Sequence, residues 1–191
     1  MSAVCRRTVI DYYALPGEIR TELIDGDFYE VPRRGTLHQD IASYLHIIIG
    51  RYIFEQGLDM KLYEGSVSVM VACDDYNMVE PDLMIVSDKS MIGGLEIYGA
   101  PDFIAEIVSD ATRNRDLISK VKLYRDSGVK EYWAIDPAAG NLYKYIFMEG
   151  TDKPRVCDFY SFMPVSIFDD RFMVDLSKIR DIIEEHNRIP V

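Results

Sequence analysis

Cysteine is scarce in this 191-residue chain, and the three that occur, Cys5, Cys73 and Cys157, stand far apart. No pair has the close spacing of a zinc site, and an odd count argues against a disulfide framework. Both absences fit a reducing compartment, so a cytoplasmic location is expected. Long apolar runs are missing too. The most apolar stretch, residues 41–54, is broken by His46, Gly50 and Arg51. It falls short of the ~20 apolar residues a membrane-spanning helix needs. The start, Met-Ser-Ala-Val-Cys-Arg-Arg, offers no apolar run for a secretory signal, and neither end has a lipidation motif. No phosphate-binding glycine loop, dinucleotide fingerprint or serine-elbow sequence occurs. Positive charge is the minority sign: 21 Lys and Arg stand against 32 Asp and Glu, a net charge of −11. The mean field therefore repels nucleic acid and anionic membranes, which argues against a high-affinity nonspecific nucleic-acid binder.

What remains is an ordinary globular composition, 48% hydrophobic and 28% charged, on a length that favours one domain over residues 1–191. Such a chain buries roughly 70% of its unfolded surface, enough for a core without metal or disulfide staples. The charge is also uneven. Between residues 110 and 130, Arg113, Arg115, Lys120, Lys122, Arg125 and Lys130 outnumber Asp110, Asp116 and Asp126, giving a local excess of +3.

Periodicity predicts the elements. A short helix is expected over 11–15, broken by Pro16-Gly17. A hairpin follows around Asp25-Gly26, flanked by apolar residues. Thr36 with Gln39 reads as a capping box at the start of a helix whose buried face is Ile41, Tyr44, Leu45, Ile48, Ile49, Tyr52 and Ile53. Residues 62–72, with Val67, Val69 and Val71 in alternation, read as a half-buried strand. It is expected to pair with a short apolar strand over 81–86. Residues 87–99 read as a loop, 103–108 as a strand, 114–127 as a second helix ending at Gly128, and 129–135 and 142–148 as a strand pair. After Gly150 the pattern weakens to one short strand within 159–168 and a terminal helix over 176–188. Hairpins at both ends with helices between give an α/β fold with a central mixed sheet flanked by helices.

Two carboxylates sit where burial is costly. Asp82 opens an apolar strand, and Glu106 interrupts one between Ala105 and Ile107. A buried carboxylate needs a partner or a cation. For Asp82 the plain alternative is a turn cap or an exposed strand edge, and for Glu106 a structural ion pair. Jointly they form a hard-oxygen set suited to Mg²⁺ or Mn²⁺. Lys120 lies at the edge of the Leu117/Val121/Tyr124 stripe, four residues after Asp116, so it either pairs with that acid or reaches into a site at the strand ends. Glu22 begins a hairpin strand and His38 lies in the first helical turn. Both are ordinary surface positions unless the helix start overlooks a cleft.

In order, these segments carry a resemblance. Glu22-Leu23-Ile24-Asp25-Gly26-Asp27, then His38, then Glu80-Pro81-Asp82, then Gly99-Ala100-Pro101-Asp102-Phe103-Ile104-Ala105-Glu106-Ile107-Val108-Ser109, then Asp116, Lys120 and Tyr124, and finally Gly128 to Pro137, together resemble a restriction-endonuclease-like bacterial family, abundant in cyanobacteria, within the PD-(D/E)XK nuclease superfamily. The resemblance covers about residues 18–148 and leaves 150–191 as a C-terminal extension of unassigned role. It implies a restriction-endonuclease-like core. It also implies Asp82 and Glu106, with the Ile107 carbonyl, as metal ligands, and Glu22 and His38 at the cleft. The superfamily lysine two residues after the second acid is Val108 here, and the resemblance maps that role to Lys120. Where the family commonly reads Ser-Pro, this chain reads Ser109-Asp110, which adds negative charge beside the expected phosphate site. DNA is the implied substrate and a homodimer the implied assembly. The alternative is a catalytically inactive oligomeric or adaptor protein on the same fold, with the apolar segment 91–95 as its interface, and a third is a different metal-dependent hydrolase.

Overall fold

The computed structural model describes residues 6–16 and 19–189; Cys5 and Gly17 lie outside them. The first helix, α1 (Val9–Tyr13), starts two residues earlier than its pattern suggested because Thr8 and Asp11 cap it reciprocally. Strands β1 (Thr21–Ile24) and β2 (Asp27–Glu30) form the expected hairpin. Asp25 and Gly26 both take positive φ, 51° and 83°, as the tight two-residue turn requires. Helix α2 (Thr36–Glu55) buries Ile41, Ala42, Leu45, Ile49 and Ile53. Its cap differs from expectation. Gly35, not Thr36, is the N-cap, and no side chain caps the helix, so the Thr36/Gln39 capping box does not form.

The central sheet is mixed and has six strands. In spatial order they are β10 (Arg155–Asp158), β9 (Asn141–Ile146), β8 (Glu131–Asp136), β7 (Phe103–Ile107), β5 (Leu83–Val86) and β3 (Lys61–Glu64). Only β7 and β8 run parallel; the other neighbours are antiparallel. The single long strand expected over 62–72 is two strands. Gly65 and Ser66 turn the chain with φ of 47° and 53°, and β4 (Ser68–Met70) leaves the sheet to pair in parallel with β6 (Glu96–Tyr98). The expected pairing with residues 81–86 holds for Leu62 to Glu64, which lie in β3, while the valine segment does not take part and β7 is the other partner of β5. The expected loop 87–99 holds a 3₁₀ turn and β6. Within its apolar stretch Met91 and Ile92 pack on the core and Leu95 is exposed.

Alternation divides the sheet into two faces. Leu83, Ile85, Phe103, Ala105, Trp133 and Ile135 point to one side. That side is covered by α2, by the hairpin β11 (Phe162–Pro164) with β12 (Met173–Asp175), and by α4 (Ser177–His186). Met84, Ile104, Tyr132 and Ala134 point to the other, where Tyr124 of α3 (Lys120–Ser127) packs. Glu106 follows Ile104 by two residues, so it faces α3. The link from β7 to α3 is a π turn, Arg115–Ser119, closed by the Lys120 N–H donating to the Arg115 carbonyl. No helix of the described residues is long and apolar enough to cross a membrane.

Candidate active site

Beside the C-terminal end of β7 the chain forms a cleft with about 70 Å³ open to water. Four buried carboxylates line it, with the half-buried Glu80 beside them. Glu22 comes from β1, Asp82 from the residue before β5, Glu106 from β7, and Asp116 from the π turn. Five basic side chains line it as well: Arg33 and Arg34 from the residues just before α2, His38 from its first turn, Arg115 from the π turn, and Lys120 from the start of α3. All five side chains expected from the sequence, Glu22, His38, Asp82, Glu106 and Lys120, thus meet in one place, with Ile107 beside them.

Two subclusters are visible. In the first, Asp82 Oδ1 lies 2.7 Å from Arg34 and 3.1 Å from His38 Nε2. Asp82 Oδ2 accepts from the Ile107 N–H at 2.8 Å. Burial pushes this carboxyl up, but its contacts with His38 and Arg34 and the Ile107 N–H outweigh that and hold it below the usual carboxylate range. In the second, one ammonium serves three acids. Lys120 Nζ is 2.7 Å from Glu106 Oε1, 2.8 Å from Glu22 Oε1 and 3.5 Å from Asp116 Oδ1. Arg115 Nε adds a contact to Glu22 Oε2 at 3.2 Å. Burial would discharge Lys120, yet the three carboxylates raise its pKa well above the usual lysine value.

Glu106 is the least compensated of the four. Burial raises its carboxyl to about 8; Lys120 pulls down, and the charges of Asp82, Asp116 and Glu22 push further up. Asp116 is raised for the same leading reason, burial. The Lys120 ammonium and the Tyr124 hydroxyl both donate to Glu106 Oε1, and Oε2 accepts from no group among the described residues. Glu22 Oε2 and Asp116 Oδ1 are buried without a well-formed hydrogen bond.

The local sequence explains the convergence. A π turn closes i→i+5 and widens the helix. It lets Arg115, Asp116 and Lys120 all reach the cleft, although residues five apart diverge on a regular α-helix. Arg34 lies over Gly65: a Cβ there would stand 2.5 Å from the guanidinium. The glycine that breaks the strand also makes room for the arginine.

With the geometry in view, the comparisons are specific. The family described as "Uma2: Putative restriction endonuclease" matches residues 9–152. The chain belongs to this family. No curated protein matches. A solved structure from Anabaena variabilis, described as that of a putative nuclease belonging to DUF820, has 19% sequence identity and a TM-score of 0.75. The match covers 92% of this chain and 98% of that one. At that identity the likeness shows the fold, a mixed sheet flanked by helices.

For a member of the Uma2 family, the sequence pointed to the acids and the lysine but missed three cleft residues, Arg33, Arg34 and Arg115. The signals were present: an Arg33-Arg34 pair directly before a helix, and the basic excess around residue 115. Asp116 and Tyr124 entered as a lysine partner, a core residue and parts of the family resemblance but were given no place in the site, and both are directed toward Glu106. No group of three or more His, Cys, Asp or Glu side chains among the described residues stands in metal-holding geometry. The donor chemistry nonetheless fits a hard divalent ion. The cleft holds buried oxygen acceptors without well-formed partners, and a carboxylate that burial keeps protonated near neutrality for want of positive charge.

Proposed function

We propose that this protein is a divalent-metal-dependent endonuclease that hydrolyses phosphodiester bonds in DNA. The observation that carries the reading is the convergence of Asp82, Glu106 and Lys120, delivered by three separate elements to one buried cleft. Asp82 and Glu106, with the Ile107 carbonyl, would hold Mg²⁺ or Mn²⁺. Such an ion, when bound, acidifies water and neutralises a phosphate oxygen.

The chain's own residues supply the rest. Lys120 stays protonated through the neutral range and presents a fixed positive charge where a phosphate gains negative charge in the transition state. Glu22 and Asp116 hold its ammonium in place. Tyr124 fixes one oxygen of Glu106 and leaves the other without a protein donor. His38 and Arg34 keep Asp82 ionised and in one orientation. Two copies related by two-fold symmetry suit cutting both strands of a duplex, so a homodimer belongs to this reading, as does a cytoplasmic location suited to the chain's scarce cysteine.

The test is cleavage of supercoiled plasmid and of single-stranded DNA at low salt, in Mg²⁺ or Mn²⁺, by wild type, Asp82→Ala and Lys120→Ala. The expected result is cutting by wild type and loss of at least a hundredfold in both variants. Wild type that cuts neither DNA with either ion overturns the proposal.

A further inference from the structure

A second depression opens directly off the carboxylate cleft. It has a volume of about 620 Å³ and is lined by Arg20, Arg33, Arg34, Gln39, Ser66 and one acid, Glu30. The two spaces share the wall formed by Val31, Pro32, Arg33 and Arg34, so a chain lying in one continues into the other. We propose that this groove binds the sugar–phosphate backbone of the DNA strand next to the bond being cut, with Arg33 as its main phosphate contact.

The proposal rests on the nuclease reading above and adds a subsite to it. Its first support is the disposition of the arginines. Arg34 is engaged by Asp82 and Arg20 by Glu80. Arg33 is exposed, and no carboxylate of the described residues lies within ion-pair distance of it. Among the described arginines only Arg7 shares this lack of an ion pair, and only Arg33 of the two lines the cleft. Elsewhere on the surface Arg51, Arg125, Arg155 and Arg180 each lie against an acid. A guanidinium at the mouth of a cleft, without an acid to release, can meet an incoming phosphate at little cost.

The second support is the neutral lining. Gln39 and Ser66 offer hydrogen bonds suited to phosphate and sugar oxygens, which most protein–DNA hydrogen bonds address. The first turn of α2 beside them carries no acid, which leaves Glu30 as the one carboxylate facing three arginines in the groove. The groove also answers the −11 net charge: attraction needs only a local track of positive charge that leads to the cleft.

The test pairs two measurements on the whole protein. Binding of a fluorescent 20-base-pair duplex is followed by anisotropy in EDTA at several salt concentrations, and cleavage of the same duplex is followed in Mn²⁺. The proteins are wild type, Arg33→Ala, Arg33→Lys, and Arg155→Ala on the far edge strand as control. Arg33→Ala should raise Kd about 3- to 10-fold for every sequence tried and lower the log–log salt slope by about one. Arg33→Lys should restore the slope, and Arg155→Ala should leave both values unchanged. If wild type cuts DNA while Arg33→Ala keeps the wild-type Kd and slope, the groove proposal falls and the nuclease reading stands. If wild type binds with the Arg33-dependent slope but does not cut, the groove stands and the nuclease reading falls. If wild type neither binds nor cuts, both fall.

Discussion

Replacing Glu106 by glutamine should make the metal-free protein more stable at alkaline pH, although it removes a proposed metal ligand. The folded carboxyl is raised to about 8 from an ordinary 4.5. Between those values the folded chain holds a proton that the unfolded chain has given up, so stability falls as pH rises. The stabilising contribution is fully present below pH 4.5 and lost as pH passes 8. Each pH unit in that window is about 1.4 kcal/mol, so the loss reaches up to about 5 kcal/mol at pH 8. Glutamine keeps the oxygen that Lys120 and Tyr124 address and has no proton to lose. Urea denaturation in EDTA from pH 5 to 8.5 should therefore show similar stabilities near pH 5 and a gap in favour of Glu106→Gln that widens toward pH 8. Asp82, whose pKa is lowered, loses its contribution only below this window. Adding Mn²⁺ should narrow the gap, because a ligand at a hundred times its Kd stabilises the binding form by about 2.7 kcal/mol. Parallel curves across pH 5 to 8 would refute the account of Glu106 as an undercompensated buried acid.

Three further changes separate the parts of the structure. Lys120→Met leaves Glu22, Glu106 and Asp116 around a neutral side chain. It should cost about 3–5 kcal/mol by chemical denaturation at pH 7, and an unchanged midpoint would contradict the ion cluster. Gly65→Ala places a methyl 2.5 Å from the Arg34 guanidinium at a positive-φ position. It should cost about 1–2 kcal/mol and shift Mn²⁺ affinity as Arg34 is displaced from Asp82; wild-type values for both would remove Arg34 from the site. Lys144→Met breaks a fully buried pair with Glu131, 3.1 Å apart, on the far side of the sheet from Lys120. The expectation is a loss of about 3–5 kcal/mol with DNA cleavage at 20 °C unaltered, and a selective loss of cleavage in folded protein would show that the two clusters communicate.

Much of this architecture was legible in the residues because local and global signals agree there. Asp25-Gly26 admits the two positive-φ positions that its hairpin needs, and the apolar spacing of α2 is the face it buries. Alternation along residues 103–107 puts Glu106 opposite Phe103, Ala105 and Ile107, which is why its burial could be inferred before its partners were known. The misreadings have local causes. Ser66 carries no sign that it will adopt a left-handed conformation, so Val67, Val69 and Val71 read as a continuation of the preceding strand. Gly35 outcompetes Thr36 for the cap because the chain enters the helix one residue earlier. Strands β10 and β12, four and three residues long, are too short to show a period. The π turn has no compositional mark, and without it Arg115 looks like one more surface arginine.

The cover that the C-terminal segment lays over the α2 side of the sheet bears on how this protein can be handled. The match to the family's sequence pattern stops at residue 152, a tempting place to cut the chain, although the likeness to the solved structure covers 92% of it. Yet Phe159, Met163, Val165, Phe168, Val174, Leu176 and Ile179 are all buried against Ile41, Leu45, Ile49 and their neighbours, and Tyr52 stacks on Phe172 at 4.5 Å. The Pro164 carbonyl, the Ser166 hydroxyl and the Ile167 N–H also complete the hydrogen bonding of Lys144 and Glu131. A fragment ending at 152 would bare this oily face and strand a lysine–glutamate pair at its centre, so it should be recovered as aggregate. An assay on such a fragment would return a negative result caused by lost solubility while every proposed catalytic residue was present.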